Sequence, residues 1–589
     1  LLTPLRFRKY LNLQEYKSFE DWNPDKETAR AAELLYGHID NLELYPGLMA
    51  ECTKPAIAGS GVCPGQTTGR GILDDAVALV RGDRFLSYDF NSTTLTNWGF
   101  AKLGASITPG SYGGVLPHLL FEGLPGAWTG TSSYVLLPFY TPTAAKGILK
   151  GNKATQLYDL ERPASDKEIV GVHTHEACVK VFQDRENFRV PYMKAIHDCT
   201  DGHDFMLGWD DAARHEPRTK MLHKAFFEDN FEANVTKFFC ENVSRLIKES
   251  SLSYSNSSRR SINIVRDVTN VAPVLWLAER YAIPLKTQKT PNGLVTVPEM
   301  FMIYLVLFIY QSFNIIPANE WTLRDGARKA APILRGIHSA HLKTQVGGLT
   351  EGVADWLEKG SSFEVKPVAD RWYKALSASK LPIPDLVADC IVLGAPIIGN
   401  ITQQASVLID LYLSEGYEEY KARIVELAHK DDAASNRELE GFVFEGMRHA
   451  HVVPGLPRIA SKDITINDGV NGPVNIKAGH MVLVAISSAA LDPVQFPNPE
   501  KIDPHRPRKD YILLGNGLHY CFGARLVACS LAATLKEVFK LKNLRRAPGR
   551  QGNFAKVYSE IAGVRMVKYL DANAHESPIP TTLVLEYDE

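Results

Sequence analysis

Residues Leu513–Arg525 read LLGNGLHYCFGAR, and Ala524 opens a helical-looking stretch, ARLVACSLAATLKEVF. Gly515, Gly517, His519, Cys521 and Gly523 alternate along the run. A glycine-rich loop of this kind presents one sulfur at a helix N-terminus. Backbone N–H groups and the helix dipole favour negative charge there. The small residues on either side let a flat macrocycle approach the backbone. A single thiolate in this frame suits the axial position of a haem iron, with Cys521 as ligand. The competing reading is a buried structural cysteine beside a turn.

Two upstream segments bear on that choice. Glu445-Gly446-Met447-Arg448 is an E-x-x-R within RELEGFVFEGMRHA. A spacing of three puts both side chains on one helix face, where they can pair. Pro454 and Arg458 follow, then the proline-rich segment Phe496-Pro497-Asn498-Pro499-Glu500 and His505-Arg506-Pro507. In this order the pieces resemble the haem-thiolate cytochromes of the P-450 class. The resemblance implies haem b as cofactor and Cys521 as iron ligand. By family position it makes Arg458 and His519 the first partners for the haem propionates, with Gly515 and Gly523 in the cofactor loop. His215 and Arg218 are weaker propionate candidates. Glu445 and Arg448 are expected to maintain the fold near the haem.

The chain has 589 residues, 45% of them hydrophobic, enough for two or more domains or one large domain with an appendage. Lys plus Arg is 65 against 67 for Asp plus Glu, so no large basic field for nucleic acid exists. The eight cysteines show no C-x-x-C pair or zinc spacing, as expected of free thiols in a reducing compartment. No signal peptide is visible, so the expected location is the cytoplasm or the periphery of lipid bodies or membranes. The apolar run Met300–Ile316 is interrupted by Gln311, Ser312 and Asn314, and reads as a buried helix rather than a membrane span.

Residues 1–115 differ in character from the rest. ID-x-x-ELYPGL and VRGDRF resemble the C-terminal end of the animal haem-peroxidase fold of the cyclooxygenase-like group. The family's proximal His and radical Tyr motif is not found, so no catalytic role is assigned to 1–115, read as the end of a largely missing domain. Residues 116–589 form the second domain. Within it, 116–150 reads as loop-rich, Ser250–Ser261 as a polar loop, Pro384–Leu413 as an apolar helix, and 463–484 as a β-hairpin. The expected fold is mainly α with small β-sheets.

A cyclooxygenase-like tail leading into a P-450-like domain resembles the fungal fatty-acid dioxygenase–cytochrome P-450 fusions. These include linoleate diol synthases, psi-factor-producing oxygenases and dioxygenase–allene oxide synthases. LGWDDAARHEPRTKMLHKAFF (207–227), INIVRDVTNVA (262–272) and EMFMIYLVLFIYQSFN (299–314) match as well. The resemblance implies a fatty-acid hydroperoxide as substrate, no reductase, and oligomers formed through the dioxygenase part.

The apolar helix adds a chemical argument. Gly394-Ala395-Pro396-Ile397-Ile398-Gly399-Asn400-Ile401-Thr402-Gln403-Gln404 has no acid–alcohol pair for proton delivery to iron-bound oxygen. Asn400 and Gln403, three apart, resemble the family's Asn-x-x-Gln. Amides can orient a peroxide by hydrogen bonds without supplying bulk protons. The alternative is that they repair backbone bonds disturbed by Pro396. Ile401 departs from the Gln that diol synthases of the group carry there. It puts a diol product in doubt and leaves allene oxide or epoxy alcohol open. Rival readings are a conventional P-450 monooxygenase and an inactive haem-binding remnant.

Overall fold

The computed structural model describes every residue except 1–2, 54, 56–62, 87, 107–109, 125–126, 164–167, 316 and 346–364. The chain divides into two compact units: residues 1–120 with 131–163, and residues 121–130 with 164–589.

The first unit is a set of helices. Thr3, Ser18 and Asp25 each cap a helix with a side-chain oxygen, satisfying N–H groups that the helix cannot. Leu5, Phe19, Trp22, Ile39 and Leu42 form its core. The buried Arg8–Glu51 ion pair, 2.9 Å, ties its first helix to the segment before Gln66–Gly82. The stretch expected to be loop-rich instead carries helices Val115–Gly123, Ser133–Leu136 and Pro142–Gly151. Thr141 caps the last of these and Pro142 opens it, a start signal outweighed in the sequence by the glycines around it.

The second unit is mainly helical around the 30-residue helix Ile383–Tyr412. Most of its residues are buried, which explains its largely apolar character around the axis. Among the described residues it alone is long and apolar enough to cross a bilayer, and it lies mostly inside the protein. The neighbouring helix Val297–Phe313 starts with a Thr296–Glu299 capping box. Its Met300, Phe301, Tyr304 and Phe308 are buried, as the interrupted apolar run predicted. The two helices approach closely at Gly399, where a Cβ would stand 2.0 Å from the Phe308 ring.

The small sheets frame one side. Ile169–Val172 pairs parallel with Met481–Val484, which pairs antiparallel with Leu456–Ala460. The hairpin expected over 463–484 covers only Ile464–Asn467 and Pro473–Ile476. The stretch Ser250–Ser261 holds a short hairpin, Leu252–Ser253 with Arg259–Asn263, which joins Val584–Asp588 and Lys542–Arg546. That loop became a hairpin because the C-terminal strand, remote in sequence, supplies its other edge.

Candidate haem-thiolate site

The cysteine loop folds around two left-handed glycines, Gly515 (φ 79°) and Gly517 (φ 70°). At Gly517 a Cβ would also stand 3.1 Å from the Phe182 carbonyl oxygen. The Cys521 N–H donates to the Leu514 carbonyl at 2.9 Å, closing the loop before helix Ala524–Phe539 begins. The loop faces the long helix across a cavity of about 680 Å³, well within the range of small-molecule sites.

Cys521, Phe522, Gly523 and Ala524 line one part of this cavity, and Val392, Leu393, Pro396, Ile397, Asn400 and Ile401 another. Phe205, Leu207, His215 and Thr219 complete it from the segment ending in helix Ala212–Phe226. No Asp or Glu is among the described residues that line it.

The residues suit a haem. Burial pushes the Cys521 thiol up to about 11, and the Gly523 backbone N–H opposes this without matching it. The helix end therefore does not make the thiolate by itself. A haem iron held by Cys521 would supply the missing charge, since a coordinated thiol is deprotonated outright. Two buried polar atoms on cavity-lining residues, Asn400 Oδ1 and His519 Nδ1, have no partner in the protein. Such atoms are costly unless a ligand or water meets them.

His519 is oriented from behind, its Nε2 lying 3.3 Å from Asp210 Oδ1. Asp210 also accepts from the Val190 N–H. The His215 ring stands edge-on to His519 with centroids 5.2 Å apart, and Thr219 Oγ1 lies 3.1 Å from His215 Nδ1. Burial first, then His519, holds His215 down at about 4, so it is a neutral ring at ordinary pH.

The E-x-x-R pair is fully buried. Arg448 donates to both oxygens of Glu445, each at 2.9 Å, in a two-pronged bond. Its remaining N–H groups reach the carbonyl of Ala490 and, at the proline-rich segment, those of Pro499 and Lys501. Glu445 accepts from the Tyr511 hydroxyl at 2.7 Å and the Asp503 N–H at 2.8 Å.

Other sequence candidates sit elsewhere. Gln403 does not line the cavity with Asn400; its Nε2 donates to the Pro578 carbonyl at 3.3 Å. Arg218 is not free for a propionate, because it forms a buried ion pair with Asp389, 2.7 Å, on the long helix. Arg458 is buried against the Phe182 ring and donates to the Pro457 carbonyl at 2.9 Å, outside the cavity lining. Gly515 shapes the loop without lining the cavity. Asp210, Thr219, Gln404 and Tyr511 were missed in the sequence, since no local motif marks them.

Comparison with known proteins agrees with this geometry. The Cytochrome P450 family profile matches residues 430–550, which hold the E-x-x-R pair and the cysteine loop, and the Animal haem peroxidase profile matches residues 5–105. A bifunctional dioxygenase–epoxy alcohol synthase of Fusarium oxysporum is 32% identical over 99% of this chain and 45% of its own length. Psi-producing oxygenase A of Aspergillus fumigatus is 31% identical over 100% of this chain and 54% of its own. The chain thus spans about half the length of the curated relatives it matches. The solved structure of CYP109E1 from Bacillus megaterium superposes with a TM-score of 0.50 at 16% identity, covering 76% of this chain and 99% of that one. The chain belongs to the fungal dioxygenase–cytochrome P450 fusion family.

Proposed function

We propose that the second unit is a haem-thiolate hydroperoxide isomerase that rearranges a fatty-acid hydroperoxide without a reductase or added oxygen. The observation that carries this reading is Asn400: a half-buried amide whose buried Oδ1 has no partner, lining the same cavity as Cys521, where no described carboxylate lines the wall. Bound through Cys521, haem supplies an electron-rich iron able to cleave a peroxide O–O bond.

The protein's own residues do the rest. The Asn400 amide offers one acceptor and two donor hydrogens, enough to hold both oxygens of a peroxide. Val392, Leu393, Ile397 and Ile401 give an apolar wall that binds an acyl chain and excludes water. Ile401 offers no hydrogen bond beside Asn400, which favours an epoxy alcohol or an allene oxide over a diol. The name of the Fusarium relative supports an epoxy alcohol as product. Such a product keeps both peroxide oxygens, one in the epoxide and one in the hydroxyl.

Their place in the lining of the cavity that holds Cys521 supports His519 and His215 as partners of the haem propionates. A peroxidase-like part ending near residue 115, and action in the cytoplasm or at lipid-body surfaces, complete the reading.

Anaerobic incubation of haem-loaded protein with 8-, 9- and 10-hydroperoxides of linoleic acid, without NADPH, tests it. Conversion of one isomer to an epoxy alcohol or an allene-oxide ketol, read by mass spectrometry, is the expected result. No conversion by protein with a thiolate-type carbon monoxide spectrum would discard it.

A further inference from the structure

Gln404 lies one turn beyond Asn400 on the long helix and is buried, 2% exposed. Its Nε2 donates to the Ala450 carbonyl at 2.9 Å, and its Oε1 accepts from the Val452 N–H at 3.3 Å. The amide thus grips the segment after the E-x-x-R helix at two points, as a neighbouring β-strand would. Between those points is His451. Its Nδ1 accepts from the Val453 N–H at 3.1 Å, which leaves the single N–H of the neutral ring, on Nε2, for the Leu513 backbone carbonyl. Leu513 lines the cavity, and the next residue, Leu514, receives the Cys521 N–H at 2.9 Å.

These bonds make one connected path. It runs from the helix that carries Asn400, through Gln404 and residues 450–453, through the His451 ring, to the loop that carries Cys521. We propose that Gln404 and His451 are positioning residues: together they form a strut that sets the gap between the Asn400 amide and the Cys521 sulfur.

Three features favour a strut over plain packing. Gln404 uses both ends of its amide on backbone groups, which fixes distance and angle together. Desolvation holds His451 down at about 4, so the ring stays neutral and its bonds persist across ordinary pH. The path ends on Leu513, next in the chain to the Leu514 carbonyl that closes the cysteine loop, so a shift at 450–453 is passed to the sulfur. The use made of the gap rests on the hydroperoxide reading; the gap itself does not.

The test is the infrared C–O stretch of carbon monoxide bound to the reduced, haem-loaded full chain. This band reports the polar group facing the iron and needs no turnover, so it is independent of the hydroperoxide assay. Asn400→Leu gives the band position with the amide gone. Gln404→Met keeps the volume and removes both bonds, while Gln404→Glu keeps the acceptor for Val452.

Gln404→Met and His451→Phe are expected to move the band toward the Asn400→Leu position with haem retained, and Gln404→Glu to fall between. On a hydroperoxide substrate, kcat should drop ~10–100-fold with KM little changed, the cost of ångström-scale misplacement. An unmoved band in Gln404→Met and His451→Phe overturns the proposal. So does loss of haem in both, which would make these residues fold supports instead.

Discussion

The Tyr511 hydroxyl donates to Glu445 Oε1 at 2.7 Å, in the interior of the second unit. Tyr511 also lines the cavity, so one side chain touches both the E-x-x-R pair and the site. The pair is therefore coupled to the cavity by a direct bond as well as through the backbone. A hydrogen bond to a buried charge contributes roughly 1.5–3 kcal/mol. Tyr511→Phe should lower the unfolding free energy by about that amount and weaken haem retention in part. Arg448→Ala leaves the buried Glu445 carboxylate with Arg506, 3.5 Å away, as its remaining cation and should cost about 3 kcal/mol, with haem incorporation lost. Urea melts and haem-to-protein ratios check both. Full stability in Arg448→Ala would refute the fold-maintaining role.

Asn400→Leu is expected to leave the thiolate-type haem spectrum intact and to lower kcat on the hydroperoxide by ~100-fold, the usual cost of losing one preorganised donor. Gln403→Leu should cost less than tenfold, because its amide bonds the Pro578 carbonyl and does not line the cavity. Steady-state rates on matched haem-loaded samples decide the order. Equal losses in the two variants would mean that the helix turns Gln403 inward when substrate binds.

Arg218→Ala addresses the buried ion pair with Asp389. Burial raises Asp389 to about 7, against the pull of Arg218. A carboxyl with a raised folded-state pKa binds its proton more tightly when folded, so its contribution improves as pH falls from above 7 toward 4. Removing Arg218 lifts that pKa further. The variant should lose about 3–5 kcal/mol at pH 8 and clearly less at pH 6, where Asp389 is neutral in the fold. Urea melts of both proteins at the two pH values give the difference. A deficit independent of pH would mean that Asp389 does not take up a proton.

The parts of the site that were legible in the sequence are those whose geometry is local. The cysteine loop, the E-x-x-R pair and the long apolar helix are fixed by spacings of a few residues. Gly515 and Gly517 announce positive φ, and residues three apart on a helix must share a side. What failed depended on contacts distant in sequence. Asn400 and Gln403 are three apart yet about 60° apart around the helix axis. One meets the cavity and the other the chain near Pro578, and only the fold of the C-terminal segment decides that. Arg218 read as a free cation because Asp389, 171 residues later, could not be seen as its partner. The stretch 116–150 read as loop because its glycines and prolines masked short capped helices. Gln404 and His451 carry no motif, since both act by binding backbone groups.

The last prediction concerns acid. His338 is wholly buried, with Nδ1 2.8 Å from the Tyr373 hydroxyl and Nε2 without a partner. Burial, with a smaller push from His341, holds it down at about 3. His449 and His451 are likewise held down at about 4. A histidine depressed in the folded state binds fewer protons there than in the unfolded chain, whose value is near 6.5. Stability is then complete above 6.5 and is lost as pH falls from there toward the folded-state value. At pH 5.5 each fully buried ring of this kind costs about 1.4 kcal/mol relative to pH 7.5. The protein should lose several kcal/mol over that interval, and His338→Phe, which cannot titrate, should lose about 1.4 kcal/mol less. Urea denaturation of both proteins at the two pH values measures the difference directly. Equal losses in the two would mean that His338 gains a proton without unfolding, which requires water to reach a ring that the fold now encloses.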